Sequence, residues 1–426
     1  MINIVNSEEI TSVIRKYKKR RSDAGLEVGG SVRLIIENVI KNGDKALQEY
    51  TRKFDGVNID QFLVTEDEIE EAMAQTPEEL IEVMKESKKN IEDYHLKQKK
   101  NGYLFQKDKG IFMGQRIIPL EKVGIYVPGG KAAYPSSVLM NAVPAKVAGV
   151  QQIIMVTPPN KQGKVNCNIL AAAKIAGVDK IYKAGGAQAI AALAYGTDTI
   201  PKVDKIVGPG NAYVAEAKKQ VFGQVGIDMM AGPSEILIMS DEQSNARYIA
   251  ADLMSQSEHD ERASAILLTT SKEKAAEVVK ELEVQMASLE KKDIIEKSLT
   301  DYGYIVICSS IEEEKAIANI FAPEHLEILL NNPMEHLADI KNAASVFLGE
   351  FTPEPIGDYF GGTNHVLPTG GTARFSSPLS VDDFIKKSSY LHYSKEAFYR
   401  DNSKIEKFAQ AEGLTAHANS IIVRSK

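Results

Sequence analysis

Cysteine is scarce in this chain, and its scarcity excludes one class of protein. Cys167 and Cys308 are the only two cysteines in 426 residues, and they lie far apart in the sequence. Two distant cysteines cannot form the disulfide network of a small secreted domain or a cysteine-rich metal site. They are typical of the reducing cytosol, so we expect a cytoplasmic protein.

Long apolar runs and an excess of positive charge are also absent. No uninterrupted apolar stretch is long enough to span a bilayer, and the first residues, MINIVNSEEI, lack the apolar segment of a signal peptide. The formal net charge is −7, whereas nucleic-acid-binding proteins carry a basic face. The basic run KYKKRR at 16–21 fits a solvated helix face. We therefore expect neither a membrane nor a nucleic-acid partner.

Strand-like and helical stretches alternate regularly from about residue 115. The strand-like runs are VGIYVP (123–128), QQIIMVTP (151–158), KIYKAGG (180–186) and DKIVGPG (204–210), then EILIMSD (235–241), ASAILLTTS (263–271), YGYIVICS (302–309) and ASVFLGEF (344–351). Such alternation predicts parallel sheets covered by helices on both faces.

The predicted fold class is therefore α/β, with two Rossmann-like, doubly wound lobes. We predict a mainly helical N-terminal segment packed on the lobes (1–114), a first lobe that binds NAD (115–234), a second lobe with the catalytic and metal residues (235–380), and a helical C-terminal tail (381–426). The apolar residues SIIV near the end of the tail have a strand-like pattern.

Glycine-rich turns follow the strands of the first lobe: PGGKAAYPSS, GGAQ, GPGN and AGPSE. Ligands of open parallel sheets bind beyond the carboxyl ends of the strands, and the backbone N–H groups of such turns can hold phosphate. A dinucleotide is the natural candidate, although Tyr213 stands where G-x-G-x-x-G has its third glycine. Each turn alone fits an ordinary strand-to-helix connection, but four in succession favour a ligand site.

The helix predicted over 245–256 ends its inward face in polar side chains. Apolar residues at helical spacing mark that face: Ala246, Ile249, Ala250 and Leu253. Gln256 continues the row, and His259 follows three residues later. Polar groups on the inward side favour a site over a solvated helix end, whereas Glu258 points off this face and is predicted to be solvated.

A second polar pair, Glu324 and His325, interrupts the apolar run FAPEHLEILL. An acid next to an imidazole suits a proton-transferring site. The alternative is a helix that begins at Pro323, which would explain the glutamate in its first turn but not the histidine.

Two further polar clusters lie near the C-terminus. The stretch 356–377 contains Asp358, Asn364, His365 and Arg374 among glycines and prolines, and its length favours a functional loop. Glu412 and His417 lie in EGLTAHA. Histidine, aspartate and glutamine or glutamate side chains suit zinc or a similar ion, but no HExxH or CxxC motif is present, so the residues alone leave the metal open. We predict structural roles for His95, His336 and His392.

Taken together, these stretches resemble the histidinol dehydrogenase family. The resemblance covers about 115–420 and rests on GIYVPGGKAAYPSSVLMNAVPA, AGGAQAIAALAYGT, VDKIVGPGN, AGPSEIL, DLMSQSEHD, APEHLEI, GDYFGGTNHVLPT and EGLTAHA. It implies an NAD-dependent oxidoreductase that converts L-histidinol to L-histidine through L-histidinaldehyde, the last steps of histidine biosynthesis, with one zinc ion per subunit.

The resemblance also implies roles for individual residues. The implied zinc ligands are Gln256, His259, Asp358 and His417, of which His417 comes from the partner in a homodimer. The implied catalytic pair is Glu324 and His325. The implied NAD contacts are Tyr126, Gln188 and Asn211. The implied substrate contacts are Ser234, His365 and Glu412, together with His325 and the four zinc ligands.

These implied roles are chemically consistent. Zinc with an open position can orient a substrate through its nitrogens, while His325 takes the alcohol proton and Glu324 deprotonates the water that adds to the aldehyde. An amide oxygen such as that of Gln256 is a weak ligand, so we expect modest zinc affinity. No cysteine lies in 120–160, so a thiohemiacetal has no candidate there.

Two alternatives remain at this point. One is a relative that acts on a different amino alcohol, against which the matching substrate positions argue. The other is a non-catalytic dimer tied together by zinc. Structural zinc sites favour Cys and His ligands, and a scaffold has no use for Glu324 and His325.

Overall fold

The computed structural model describes residues 2–17, 28–129, 134–230 and 232–425. Most of the basic run at 16–21, residues 130–133 of the first glycine-rich turn and Ala231 lie outside these ranges.

The strands, in chain order, are β1 (Asn3–Asn6), β2 (Tyr103–Asp108), β3 (Ile111–Pro119), β4 (Lys122–Tyr126), β5 (Gln152–Thr157), β6 (Lys180–Lys183), β7 (Lys205–Val207), β8 (Gly226–Ile227), β9 (Glu235–Ser240), β10 (Ser264–Thr269), β11 (Gly303–Ile307), β12 (His325–Leu329), β13 (Ser345–Leu348) and β14 (Ile385–Tyr393).

The helices are α1 (10–17 as described), α2 (Gly29–Asn42), α3 (Asp44–Phe54), α4 (Glu66–Gln75), α5 (Glu78–Leu96), α6 (Pro135–Ala148), α7 (Cys167–Ala176), α8 (Gly186–Tyr195), α9 (Ala212–Val221), α10 (Ala246–Ser257), α11 (Lys272–Met286), α12 (Lys292–Tyr302), α13 (Ile311–Phe321), α14 (Pro333–His336), α15 (Glu354–Tyr359), α16 (Lys395–Ala411) and α17 (Thr415–Ile422).

The chain divides into two compact units. The larger comprises Met1–Gln98 and Leu120–Phe384, and the smaller comprises Lys99–Pro119 and Ile385–Lys426. The smaller unit contains an antiparallel sheet in the order β14-β3-β2, together with α16 and α17, which pack on each other.

The larger unit contains two parallel sheets, one in each lobe. The first lobe has the strand order β6-β5-β4-β7-β8, and the second has β1-β11-β10-β9-β12-β13. Strands such as β9 and β10 are buried along their whole length, as expected for parallel strands with helices on both faces. The predicted α/β fold with two parallel-sheet lobes is confirmed.

Several strands were not predicted. β1, near the N-terminus, pairs in parallel with β11, with Asn3 opposite Tyr304. β2, β3 and β14 form the antiparallel sheet of the smaller unit. The prediction of a strand at SIIV is wrong, because residues 420–422 belong to α17. There, packing on α16 outweighs the β-propensity of the two isoleucines.

The alternative of a helix beginning at Pro323 is also wrong. Ala322 ends α13 in the left-handed conformation, with φ 50°, and β12 begins at His325. The buried Ala322 thus turns the chain directly from a helix into a strand. Among the described residues, no helix combines the length and apolar character that crossing a membrane requires.

A buried carboxyl in α13 has no hydrogen-bonding partner. Glu314 is fully buried, and neither of its carboxylate oxygens has a hydrogen-bond partner among the described residues. Burial, and then the nearby charge of Asp241, raise the pKa of Glu314 to about 9. The folded protein therefore keeps this side chain protonated at neutral pH.

We expect Glu314→Gln to change how stability depends on pH. The folded wild type keeps a proton that an unfolded chain releases near the ordinary pKa of 4.5, so its unfolding free energy falls as pH rises from about 5 to 9. Glu314→Gln has no such proton to retain. Its unfolding free energy relative to that of the wild type should therefore rise by up to about 1 kcal/mol per pH unit over this range. Urea unfolding at several pH values measures the difference. Glu312→Gln, at an exposed position, is the control. A difference in unfolding free energy between Glu314→Gln and the wild type that does not change with pH would contradict the claim that folded Glu314 is protonated.

Candidate active site

The predicted catalytic pair, Glu324 and His325, lies where two neighbouring strands begin. β9 and β12 are parallel neighbours, with His325 opposite Ile236. The Glu235 N–H donates to Glu324 Oε2 at 2.9 Å, and His325 Nδ1 lies 2.9 Å from the Glu235 carbonyl oxygen. Because a carbonyl can only accept, this contact is a hydrogen bond when Nδ1 carries a proton. The main chain of Glu235 therefore orients both Glu324 and His325.

This position is not the usual one for a ligand site in an open parallel sheet. The pair lies at the amino ends of the strands, whereas ligands of open parallel sheets bind beyond the carboxyl ends. The polar residues here come from the entry to β9 and β12 and from the end of α10.

Gln256 is buried beside His325, on the inward face of α10 as predicted. It is only 1% exposed, and its Nε2 lies 3.0 Å from His325 Nδ1 and 3.4 Å from the Glu235 carbonyl oxygen. Its Oε1 is buried and has no hydrogen-bond partner among the described residues. A buried amide oxygen without a partner is costly, so this atom is suited to bind a ligand.

His259 and Glu258 follow Gln256 and differ in surroundings. His259 is exposed on its outer side, yet partial burial lowers its pKa, and the charge of Asp358 opposes part of that shift. Asp358 is therefore close to the ring. Glu258 is half exposed and lies 3.8 Å from Lys291, in keeping with the prediction that it points away from the inward face.

α15 brings two carboxylates to the other ring nitrogen of His325. His325 Nε2 lies 3.9 Å from Glu354 Oε1 and 3.8 Å from Asp358 Oδ1, and it has no hydrogen-bond partner among the described residues. Ligand atoms of these three residues lie within 4.8 Å of one another and could hold a metal ion. Glu354 and Asp358 are four residues apart, so they share one helix face.

The proximity of these groups shifts their pKa values. Burial raises the pKa of Glu324 to about 8 and that of Glu354 also to about 8. Burial alone would lower the pKa of His325, but the surrounding carboxylates raise it to about 10. Burial would raise the pKa of Asp358, but His325 and His365 hold it below its usual range.

His365 connects this cluster to the first lobe. Its Nδ1 lies 3.0 Å from the Asp358 carbonyl oxygen, and its Nε2 lies 3.3 Å from the hydroxyl of Ser137 in α6. Ser234, which immediately precedes β9, is half-buried. The predicted residues Ser234, Gln256, Glu324, His325, Asp358 and His365 thus surround the start of β9 and β12.

The predicted NAD residues lie at the carboxyl ends of the first-lobe strands. Tyr126 ends β4, and its hydroxyl accepts a hydrogen bond from Gly186 N–H at 3.1 Å. Burial raises the pKa of Tyr126 to about 12. Gln188, in the first turn of α8, has a buried Oε1 with no partner among the described residues. Asn211 Oδ1 accepts from the backbone N–H groups of the first turn of α9 and caps that helix.

The GPGN turn is held by a buried ion pair. Lys218 and Asp228 contact each other directly and are both buried. Lys218 Nζ donates to the Gly208 carbonyl at 2.9 Å, and Gly208 N–H donates to Asp228 Oδ2 at 2.8 Å. Gly208 has φ 112°, and a Cβ there would overlap the Tyr126 carbonyl. Glycine is therefore required, and the turn is fixed against β4.

The remaining predicted residues, Glu412 and His417, belong to the smaller unit. Glu412 directly follows α16, and His417 lies in α17. Both are exposed within their own unit.

Three buried acids near the predicted catalytic pair were not singled out from the sequence. They are Glu235, Glu327 and Glu354, each almost completely buried. A charged residue inside or at the start of an apolar strand was the available signal for the first two. Glu354 has a weaker signal, its position one helical turn before Asp358. Ser137, the partner of His365, had no signal in the sequence.

Comparisons with known proteins agree on one family. The family model described as histidinol dehydrogenase matches residues 18–425. The histidinol dehydrogenase of Clostridium acetobutylicum is 60% identical over 97% of this chain and 96% of its own length, and that of Lactococcus lactis is 51% identical over 98% and 97%. The crystal structure of histidinol dehydrogenase from Elizabethkingia anophelis is 39% identical, covers 99% of this chain and 98% of its own, and superposes with a TM-score of 0.92.

Proposed function

This chain belongs to the histidinol dehydrogenase family and is an oxidoreductase, and on this premise we propose that it carries out the zinc-dependent, NAD-linked four-electron oxidation of L-histidinol to L-histidine through L-histidinaldehyde, the last steps of histidine biosynthesis. One observation carries the proposal. The buried Glu324–His325 pair, oriented by Glu235, lies beside Gln256, whose buried amide oxygen has no hydrogen-bond partner among the described residues.

The proposed zinc ligands are Gln256, His259 and Asp358, with His417 of a second copy. The residues fit this metal, because they offer nitrogen and oxygen donors and because Gln256 Oε1 is buried without a partner among the described residues. When bound, zinc would hold nitrogen atoms of the substrate and offset the carboxylate charge around His325. The neutral Gln256 oxygen is a weak ligand, so we propose modest affinity.

His325 is the proposed general base for the alcohol. Its Nδ1 proton is directed to the Glu235 carbonyl, which leaves Nε2, an atom without a hydrogen-bond partner among the described residues, to take the hydroxyl proton. This role needs the neutral ring, so a bound divalent cation would have to offset the carboxylate charge that raises the pKa of His325 to about 10. The same cation would favour the ionised form of Glu324, whose pKa burial raises to about 8. NAD supplies the hydride acceptor in each of the two oxidations. Glu324, with Oε2 held by the Glu235 N–H, takes a proton from the water that adds to the aldehyde carbon. The aldehyde hydrate then loses the second hydride and becomes the carboxylic acid.

The first lobe is the proposed NAD site. Tyr126, Gln188 and Asn211 lie at the carboxyl edge of its sheet, where ligands of such sheets bind. The free Gln188 oxygen and the fixed GPGN turn supply an acceptor and a rigid backbone surface. Ser234, His365 and Glu412 are the proposed further substrate contacts.

We propose that the active unit is a homodimer with a swapped C-terminal tail, located in the cytoplasm. The smaller unit exposes large apolar side chains, including Tyr103, Leu104 and Phe105 on the edge strand β2 and Phe408 on α16. An exposed apolar edge strand favours pairing. A second copy covering this surface would contribute Glu412 and His417. The free cysteines Cys167 and Cys308 fit a reducing compartment.

The purified protein, supplied with L-histidinol, NAD and zinc, should form two NADH per histidinol consumed. A chelator should abolish the reaction and added zinc should restore it. L-Alaninol, an amino alcohol without imidazole, is the matched control and should give no NADH. A folded, zinc-loaded dimer that forms no NADH from histidinol would contradict the proposal.

The two catalytic residues should affect different steps. His325→Asn should slow histidinol oxidation by about 100- to 10,000-fold, the usual contribution of a general base. Glu324→Gln should impair the oxidation of supplied histidinaldehyde more than that of histidinol. Steady-state rates with each substrate measure the division, and Glu258→Gln, beside the site but solvated, should leave both rates unchanged. Equal losses at both steps in both variants would rule out this division of roles.

A further inference from the structure

Glu327 is a buried acid on the same strand as His325, the proposed general base. It lies two residues after His325 in β12, so both side chains project from the same face of the sheet. Glu327 is fully buried, and its Oε1 accepts a hydrogen bond from the Glu354 N–H at 2.8 Å. Glu354 is the first residue of α15, and Pro353 before it makes no side-chain cap. Glu327 therefore caps α15 from another element.

Asp252, in α10, contacts the same glutamate. The side chains of Asp252 and Glu327 are within interaction distance of each other, and Glu327 Oε2 is buried and accepts no hydrogen bond from a described N–H or O–H group. Two carboxyl groups attract each other only when a proton lies between them. Burial raises the pKa of Glu327 well above its usual value and that of Asp252 to about 6, so the pair retains a proton at neutral pH.

The spacing relates this contact to the proposed zinc site. Asp252 precedes Gln256 by four residues in α10, and Glu354 precedes Asp358 by four residues in α15. Residues four apart lie one turn apart on the same helix face. The contact thus lies one turn from a proposed ligand on each helix and two residues from His325.

We propose that Asp252 and Glu327 are positioning residues, whose contact with each other and whose cap on α15 fix the separation of α10 and α15 and so the geometry of Gln256, Asp358 and His325. The inference rests on the proposed zinc site and deepens it. If Glu327 only filled space in the core, an apolar residue of similar size at this position would leave α15 and the zinc site unchanged. Well-packed apolar side chains often replace buried charged groups without loss of stability.

The test compares Glu327→Met with Glu327→Gln. In the metal-free protein, Glu327→Met should make the amides of α15 exchange with deuterium about tenfold faster, the change expected for loss of a helix cap. Zinc affinity, measured by competition with a chromophoric chelator, should fall about 10- to 100-fold, as when a residue that orients metal ligands is removed. Glu327→Gln keeps an acceptor for Glu354 N–H and donates to Asp252, so it should behave like the wild type in both measurements.

Glu314→Met is the matched control, because it removes a fully buried acid of the same lobe whose carboxylate oxygens have no hydrogen-bond partner among the described residues. It should change neither measurement. Deuterium exchange in α15 that is the same in Glu327→Met as in Glu314→Met overturns the proposal. If Glu327→Met does not fold, Asp252→Ala replaces it, and unchanged zinc affinity in that variant overturns the proposal. A wild type that binds no zinc and oxidises no histidinol refutes the proposed function, while deuterium exchange still decides the role of Glu327.

Discussion

The two main-chain hydrogen bonds of Glu235 are the interactions on which the candidate site depends. Its N–H fixes the Glu324 carboxylate and its carbonyl fixes the His325 ring. Both are possible because β9 and β12 are parallel neighbours that begin at the same edge of the sheet. The Glu235 side chain also accepts from Gly370 N–H at 2.8 Å. One residue at the start of one strand therefore orients the proposed catalytic pair and holds the loop that follows α15.

The same arrangement concentrates negative charge in a buried place. Glu324, Glu327 and Glu354 are almost completely buried, and Asp358 lies beside them. Burying like charges together is unfavourable, and the raised pKa values of the three glutamates express this cost. A divalent cation bound here would supply the missing positive charge. The charge distribution is thus a physical reason, independent of family membership, to propose a metal at this edge.

The fold was largely predictable, whereas much of the site was not. Buried parallel strands appear as continuous apolar runs, so the two lobes could be read from the sequence. β1 is four residues long and pairs with a strand some 300 residues away. A local sequence pattern cannot predict so distant a partner. Gln256 was predicted because a helical row of apolar residues leads to it. Glu327 and Glu354 were not, because their roles depend on contacts between distant elements. The proposed NAD residues lie at the carboxyl ends of the first-lobe strands, whereas the proposed catalytic residues lie at the amino ends of the second-lobe strands.

The central claim is that the amino edge of the second sheet binds zinc through Gln256, His259 and Asp358, with His417 of a second copy. Anomalous scattering at the zinc edge from crystals of the zinc-loaded protein tests it most directly. The account predicts one strong peak per chain, in contact with Gln256 Oε1, His259, Asp358 and His417 of a neighbouring copy. A peak held by His325, Glu354 and Asp358 instead, or a zinc ion at any other place, would contradict it.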